Sequence, residues 1–291
     1  MIAKGPRRAL EAPEAVKGFL GSTSGSTDES AVEPRDPFAV TCDPASYVPR
    51  PASEAALEAL EAAVRGGQPC TVLSGPPGIG KTMLLRVLEA RLQGATRCVH
   101  LPYAALEFDD LCRWVLGLLE GEAGGDGTCP GHELQAEIRI GADQGLGLLL
   151  LLDDASALPR ETARSLLDLS NQVAGALQLV VVPVDDGRAG RVVAALGESP
   201  AHVRLTTPMD PREVAHYIEQ HLQRAGVPEA LAARFDAAAV RRLWRESGGN
   251  PRLLHAYATA LLRGADFDPC APTGSRSTGA QGKAKQSPLG P

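Results

Sequence analysis

The clearest candidate for chemistry in this chain is the run Gly75-Pro76-Pro77-Gly78-Ile79-Gly80-Lys81-Thr82. The spacing G-x-x-x-x-G-K-[ST] lets a glycine-rich turn aim backbone N–H groups at phosphate oxygens. Its lysine then reaches the β- and γ-phosphates, and its threonine hydroxyl meets Mg²⁺. Composition sharpens the signal, because Lys81 is the only lysine between Lys17 and Lys283. The apolar run Cys70-Thr71-Val72-Leu73 leads in as a strand, and Met83 to Leu88 leads out as an amphipathic helix. That context separates a phosphate-binding loop from a Gly/Pro surface turn. These residues imply binding of a nucleotide with Mg²⁺.

Two further groups can serve the same chemistry. Leu148 to Leu152 followed by Asp153-Asp154 reads as an apolar strand ending in two carboxylates, the form of a Walker B segment. A phosphate-binding loop needs an acid at a neighbouring strand tip to hold the metal shell, which suits Asp153. Asp154 is then placed to polarise an attacking water. Further on, Gly248-Gly249-Asn250-Pro251-Arg252 opens a helix with proline near its first turn. Arg252 can contact a γ-phosphate from there, and on spacing alone it reads equally as a solvated arginine.

These residues need a scaffold, and the pattern supplies an alternation of strands and helices. A helix with Ser53 as N-cap carries Leu57, Leu60 and Val64 on one face. Strands follow at 70–74, 98–101, 146–152 and 177–182, with a loop-to-helix segment at 75–93, helices at 108–119, 133–142 and 160–174 between them and a Gly-rich loop at 121–131. Val/Leu runs bounded by turns and separated by helices indicate a parallel sheet buried on both faces. After Pro208 only helical patterns remain, near 210–225, 236–247 and 250–263. The expected organisation is a disordered segment at 1–36, an α/β nucleotide-binding domain at 37–207, a small all-helical lid at 208–264, and a disordered basic tail at 265–291.

Composition bounds the partners. The 291 residues are 44% apolar and 22% charged with a formal charge of −6, ordinary for a soluble globular protein and unfavourable for a dedicated nucleic-acid binder. Six cysteines without a C-x-x-C read as reduced thiols in a cytoplasmic protein. No apolar run is long enough for a membrane span. Trp114 and Trp244 read as core, Arg241, Arg242 and Arg245 as a solvated face, and His216 and His221 lie off metal-pair spacing.

Four blocks carry a family resemblance over residues 37–264: Pro37-Phe38 with Asp43-Pro44 and Tyr47-Val48-Pro49, the P-loop, the Asp153-Asp154 strand with Leu177-Gln178-Leu179, and Ser247 to Arg252. Together they resemble the AAA+ ATPases of the ExeA (general secretion pathway protein A) group, which are similar to TniB-type transposition ATPases. The resemblance implies ATP binding at a subunit interface, a sensor 2 role for Arg252, and ATP-dependent homo-oligomers that remodel a protein partner. This chain departs from the family pattern at three places. Asp154 stands where the family has glutamate. Pro183-Val184 stands where it has a polar sensor 1 residue, with Asp185 or Asp186 as substitutes. Leu196 to Pro200 stands where an arginine-rich stretch is expected, leaving Arg188, Arg191 and Arg204 as replacements. The expected function is a slow ATPase coupled to assembly. The alternatives are a nucleotide-gated switch with little hydrolysis and a DNA-stimulated transposition-type ATPase.

Overall fold

A computed structural model describes residues 36–120, 129–183, 189–196 and 200–264. Both terminal segments lie outside these residues, as do most of the 121–131 loop, Asp185, Asp186, Arg188 and the side chain of Arg191. In chain order the elements are α1 (Pro51–Arg65), β1 (Cys70–Ser74), α2 (Lys81–Leu92), β2 (Thr96–Leu101), α3 (Phe108–Glu120), α4 (Pro130–Asp143), β3 (Gly147–Leu152), α5 (Arg160–Gln172), β4 (Leu177–Val181), α6 (Ala189–Ala195) and β5 (Ala201–Arg204). Then come the helices α7 (Pro211–Arg224), α8 (Glu229–Ala232), α9 (Ala237–Ser247) and α10 (Pro251–Leu262).

The strands pair in the order β2-β3-β4-β1-β5, and every neighbouring pair is parallel. Parallel strands need crossover connections, and the helices that provide them cover both faces. Side chains alternate across the sheet accordingly. Leu148, Leu150 and Leu152 pack with Leu179, Val181 and Val72 on one side, while Leu149 and Leu151 pack with Val180 and Leu73 on the other. No residue from Leu148 to Leu152 is more than 1% exposed. β4 therefore separates the strand that leads into the P-loop from the strand that ends in Asp153-Asp154.

Two sequence expectations need correction. α1 starts at Pro51, whose missing N–H suits the first helical position, so Ser53 lies inside the first turn and is not the N-cap. The sheet also has a fifth strand, β5, which sequence periodicity did not show because only Val203 in it is buried.

The last helices enclose their own apolar cluster of Met209, Val214, Ile218, Leu222, Leu243, Leu254 and Ala258. A capping box at Asp210 and Glu213 starts α7, and Asp236 caps α9. Phe38, 2% exposed, belongs to this cluster and not to the sheet. Its strap is tied down by His221 Nδ1, 2.9 Å from Pro37 O, and His255 Nδ1, 3.0 Å from Phe38 O. Arg263 adds an ion pair to Asp36 at 3.2 Å. Among the described residues no helix is long and apolar enough to cross a membrane.

Burial is the main cause that pushes the His221 imidazole down to about 4, and neighbouring His255 adds to it. His255 is lowered too, chiefly by burial. An unfolded imidazole titrates near 6.5, so between pH 6.5 and 4 the unfolded chain binds more protons than the folded one. The histidine contribution is complete above pH 6.5 and is lost as pH falls toward 4. Thermal melts at pH 7.5 and pH 5 should differ by about 2–4 °C or more in this sense. The difference should shrink in His221→Asn, and an equal pH response in the variant would contradict the assignment.

Candidate functional site

β1 ends at Ser74, and the chain then turns through Gly75 directly against β5. A Cβ on Gly75 would lie 2.1 Å from Leu205 O, so no side chain fits there. Gly78 and Gly80 hold φ of +78° and +109°, the left-handed region that favours glycine. Gly80 gives α2 no side-chain cap, which leaves the first N–H groups of that helix directed at the loop. A loop and helix start of this kind is an anion site.

Lys81 lies at the first position of α2. Its Nζ donates to Gly75 O at 2.6 Å and to Pro76 O at 3.1 Å, so the ammonium is held over its own loop. Thr82 Oγ1 donates to Asp153 Oδ2 at 2.6 Å, a contact between residues 71 apart in sequence. Asp153 is positioned by β3 and by its backbone N–H, which donates to Leu101 O of β2 at 2.9 Å. Asp154 is exposed and left-handed, with φ 44° and ψ 50°, and its N–H donates to Asp153 Oδ1 at 3.0 Å.

The start of α10 rests on the P-loop. Asn250 caps that helix by accepting from Arg252 N at 3.0 Å, and its Nδ2 donates to Pro77 O at 2.9 Å. Arg252 N also approaches Gly78 O at 3.3 Å. A Cβ on Gly78 would meet Arg252 Cβ and Asn250 Oδ1, both at 2.7 Å, so glycine is needed here for close approach as well as for φ. Gly249, at φ +72°, packs against Met209, whose N–H donates to Gly249 O at 3.0 Å.

The structure thus brings Gly75, Pro76, Pro77, Gly78, Ile79, Gly80, Lys81, Thr82, Asp153, Asp154 and Arg252 to one end of the sheet. All but the first two line a cleft of about 470 Å³. Where the family pattern has a polar sensor, Pro183 is buried beyond β4. Arg204 is exposed at the end of β5.

Two groups went unassigned in the sequence. His100 of β2 has a side chain only 3% exposed, with Nε2 4.0 Å from Asp153 Oδ2. Burial first, and then Arg86, lowers its pKa, against the opposing pull of Asp153 and Glu89. Asn250 was noted only as part of a helix start, although its amide joins lid to loop. A pattern of residue types shows neither contact, since each depends on a neighbour from another element.

The donor set fits a nucleotide with its metal. Backbone N–H groups at a helix start and a cation suit phosphates, and a hydroxyl beside a carboxylate suits Mg²⁺, which prefers oxygen ligands. Parallel sheet, P-loop and helical C-terminal region together have the form of a P-loop AAA+ fold. Residues 64–185 match a family described as an AAA domain, which supports a nucleotide-binding ATPase of the AAA+ class. No curated protein matches the chain.

Solved structures share the fold at low identity. Cdc6p from Pyrobaculum aerophilum is 18% identical, with a TM-score of 0.55 over 76% of this chain, and the match spans 65% of its own length. A Walker-type ATPase of Pyrococcus abyssi is 14% identical, with a TM-score of 0.58 over 78% of this chain and 71% of its own. The ORC2 protein of Aeropyrum pernix in its ADP form is 18% identical, with a TM-score of 0.52 over 76% and 67%.

Two substitutions test this geometry. Lys81→Ala should lower the melting temperature of the free protein, through loss of its bonds to Gly75 O and Pro76 O, and remove most of the rise with Mg·ATP. An unaltered ATP-dependent rise would contradict the assignment of the loop. Gly249→Ala should destabilise the lid, because its Cβ would lie 2.2 Å from Met209 O at a positive φ. Such strain costs about 1–3 kcal/mol, measurable by denaturant unfolding, and an unchanged midpoint would contradict the packing.

Proposed function

We propose that this chain binds Mg·ATP, hydrolyses it slowly, and couples nucleotide state to self-association and to remodelling of a protein partner. The observation that carries the reading is the 2.6 Å contact from Thr82 Oγ1 to Asp153 Oδ2, which brings together the two expected metal-shell residues. In this reading the P-loop N–H groups and Lys81 hold the phosphates, and Thr82 and Asp153 hold the metal. When bound, Mg²⁺ neutralises charge on the β- and γ-oxygens. Asp154 accepts the proton of the attacking water, and Arg252 senses the γ-phosphate from α10. The four blocks that resemble the ExeA and TniB-type groups favour an interface site completed by an arginine of a neighbouring copy, with Arg188, Arg191 and Arg204 as candidates.

A second reading, a nucleotide-gated switch with little hydrolysis, is favoured by Asp154 itself. Its arm is one methylene shorter than the family's glutamate, and a general base must come within about 3 Å of its water. A DNA-stimulated ATPase is the third. One fold neighbour, ORC1 of Aeropyrum pernix, was solved in complex with DNA, whereas this chain carries a net charge of −6.

Turnover measured at rising protein concentration, with and without DNA, separates the three. The first reading expects specific activity to rise with concentration and to ignore DNA. The switch expects negligible turnover throughout, and the third expects stimulation by DNA. Asp154→Glu should raise single-turnover hydrolysis by about tenfold or more if the short acid limits the reaction. No gain would place the limit elsewhere and contradict the role given to Asp154.

A further inference from the structure

His100 is buried beside the Asp153 carboxylate with neither ring nitrogen paired. It lies on β2 in register with Leu151, so its side chain takes the sheet face of Leu151, which α2 covers. Only 3% of that side chain is exposed, and among the described residues neither Nδ1 nor Nε2 has a hydrogen-bond partner. Buried polar groups are almost always paired, so an orphan ring at this place calls for a reason. Packing supplies none, because an apolar side chain would fill the same space without leaving polar atoms unpaired.

Its neighbours define what the ring can do. On α2, Thr82, Arg86 and Glu89 share one face at i, i+4 and i+7, and Arg86 is engaged by Glu89 at 3.0 Å. His100 Nε2 stands 4.0 Å from Asp153 Oδ2. A carboxylate oxygen only accepts, so the nitrogen that faces it serves as an N–H donor, whatever charge the ring carries. At 4.0 Å the two are not yet bonded, and closing to a hydrogen-bond distance takes about 1 Å. The terminal torsion of an aspartate is broad, so a small turn of the carboxylate covers that distance. A carboxylate offers about four lone-pair sites. Thr82 Oγ1 takes one on Oδ2 at 2.6 Å, and the Asp154 N–H takes one on Oδ1 at 3.0 Å. With His100 as a third donor, one site is left for a metal shell, and the plane of the carboxylate is fixed.

We infer that His100 is a positioning residue of the metal site: its Nε2–H bonds Asp153 Oδ2 in the Mg·ATP complex and holds the carboxylate toward the metal. This inference rests on the Mg·ATP reading of the site. Partners that orient a metal ligand in this way are typically worth about 10–100-fold in metal affinity. In the free protein the same ring is an unpaired buried polar group, so it lowers stability where it raises metal affinity.

Affinity for a ribose-labelled fluorescent ATP, measured with excess Mg²⁺ and again with EDTA, tests this. By linkage, the ratio of the two affinities is the factor by which the protein raises the metal affinity of ATP. His100→Phe keeps a ring and removes both nitrogens. It should lower that ratio by about tenfold or more and leave the affinity in EDTA unchanged, while the free protein melts at the wild-type temperature or above it. His100→Gln places an amide N–H near the Nε2 position and should keep the wild-type ratio. His100→Asn places its amide near the Nδ1 position, short of Asp153, and should match the phenylalanine variant. The contrast between glutamine and asparagine decides the matter should the phenylalanine variant fail to fold.

An unchanged ratio in a folded His100→Phe protein would overturn the proposal. So would equal ratios in the glutamine and asparagine variants, or a loss of affinity that is the same in both media, which marks a merely structural role. Wild-type binding that ignores Mg²⁺, or no binding in either medium, would instead overturn the Mg·ATP reading, and this proposal with it.

Discussion

A hydroxyl and a carboxylate 2.6 Å apart, Thr82 Oγ1 and Asp153 Oδ2, join the start of α2 to the tip of β3, and the site depends on the sheet that permits this contact. β4 stands between β1 and β3, so the two motifs face each other only because all these strands run parallel and end at one edge. Crossover helices enforce that direction, and leucines buried on both faces of β3 hold its tip in place. A hydrogen bond to a charged group contributes about 1.5–3 kcal/mol, so the pair also stabilises the loop it serves. The contact that brings the two proposed metal-shell residues together is thus also one that stabilises the fold.

A second constraint ties the P-loop to the lid. Asn250 uses its oxygen to start α10 and its nitrogen to hold Pro77 O. Gly78 then has no room for a side chain, and Arg252 is positioned by its backbone before its guanidinium contacts anything. The strap of Pro37 and Phe38 closes the lid from the other side through His221 and His255. The loop and the start of α10 are thus joined by two hydrogen bonds, Asn250 Nδ2 to Pro77 O and Arg252 N to Gly78 O, and His221 of α7 lines the same cleft.

The sequence made the P-loop, the Asp153 strand and four of the five strands legible for physical reasons. Glycines needed for positive φ, and runs of leucine buried on both faces, leave a local signature at residues 75–82 and 148–152. β5 left none, because Ala201, His202, Val203 and Arg204 form an edge strand with one buried side chain. The cap of α1 was misplaced because proline at the first position replaces a capping side chain. Phe38 belongs to a lid that begins 170 residues later, and His100 matters through a strand paired to β2. Contacts across such separations are set by topology, which local periodicity does not encode. Arg252 received its expected role from the family resemblance of Ser247 to Arg252, since its spacing alone reads equally as a solvated arginine.

The central claim is that nucleotide at the P-loop acts on the lid through Asn250 and Arg252. Hydrogen exchange followed during a titration with Mg·ATP tests it most directly. The account expects protection at 75–82 and at 250–254 to rise together, with the same ATP dependence, and to rise less with Mg·ADP. Protection of the P-loop without any change at 250–254, or none at either segment, would contradict it.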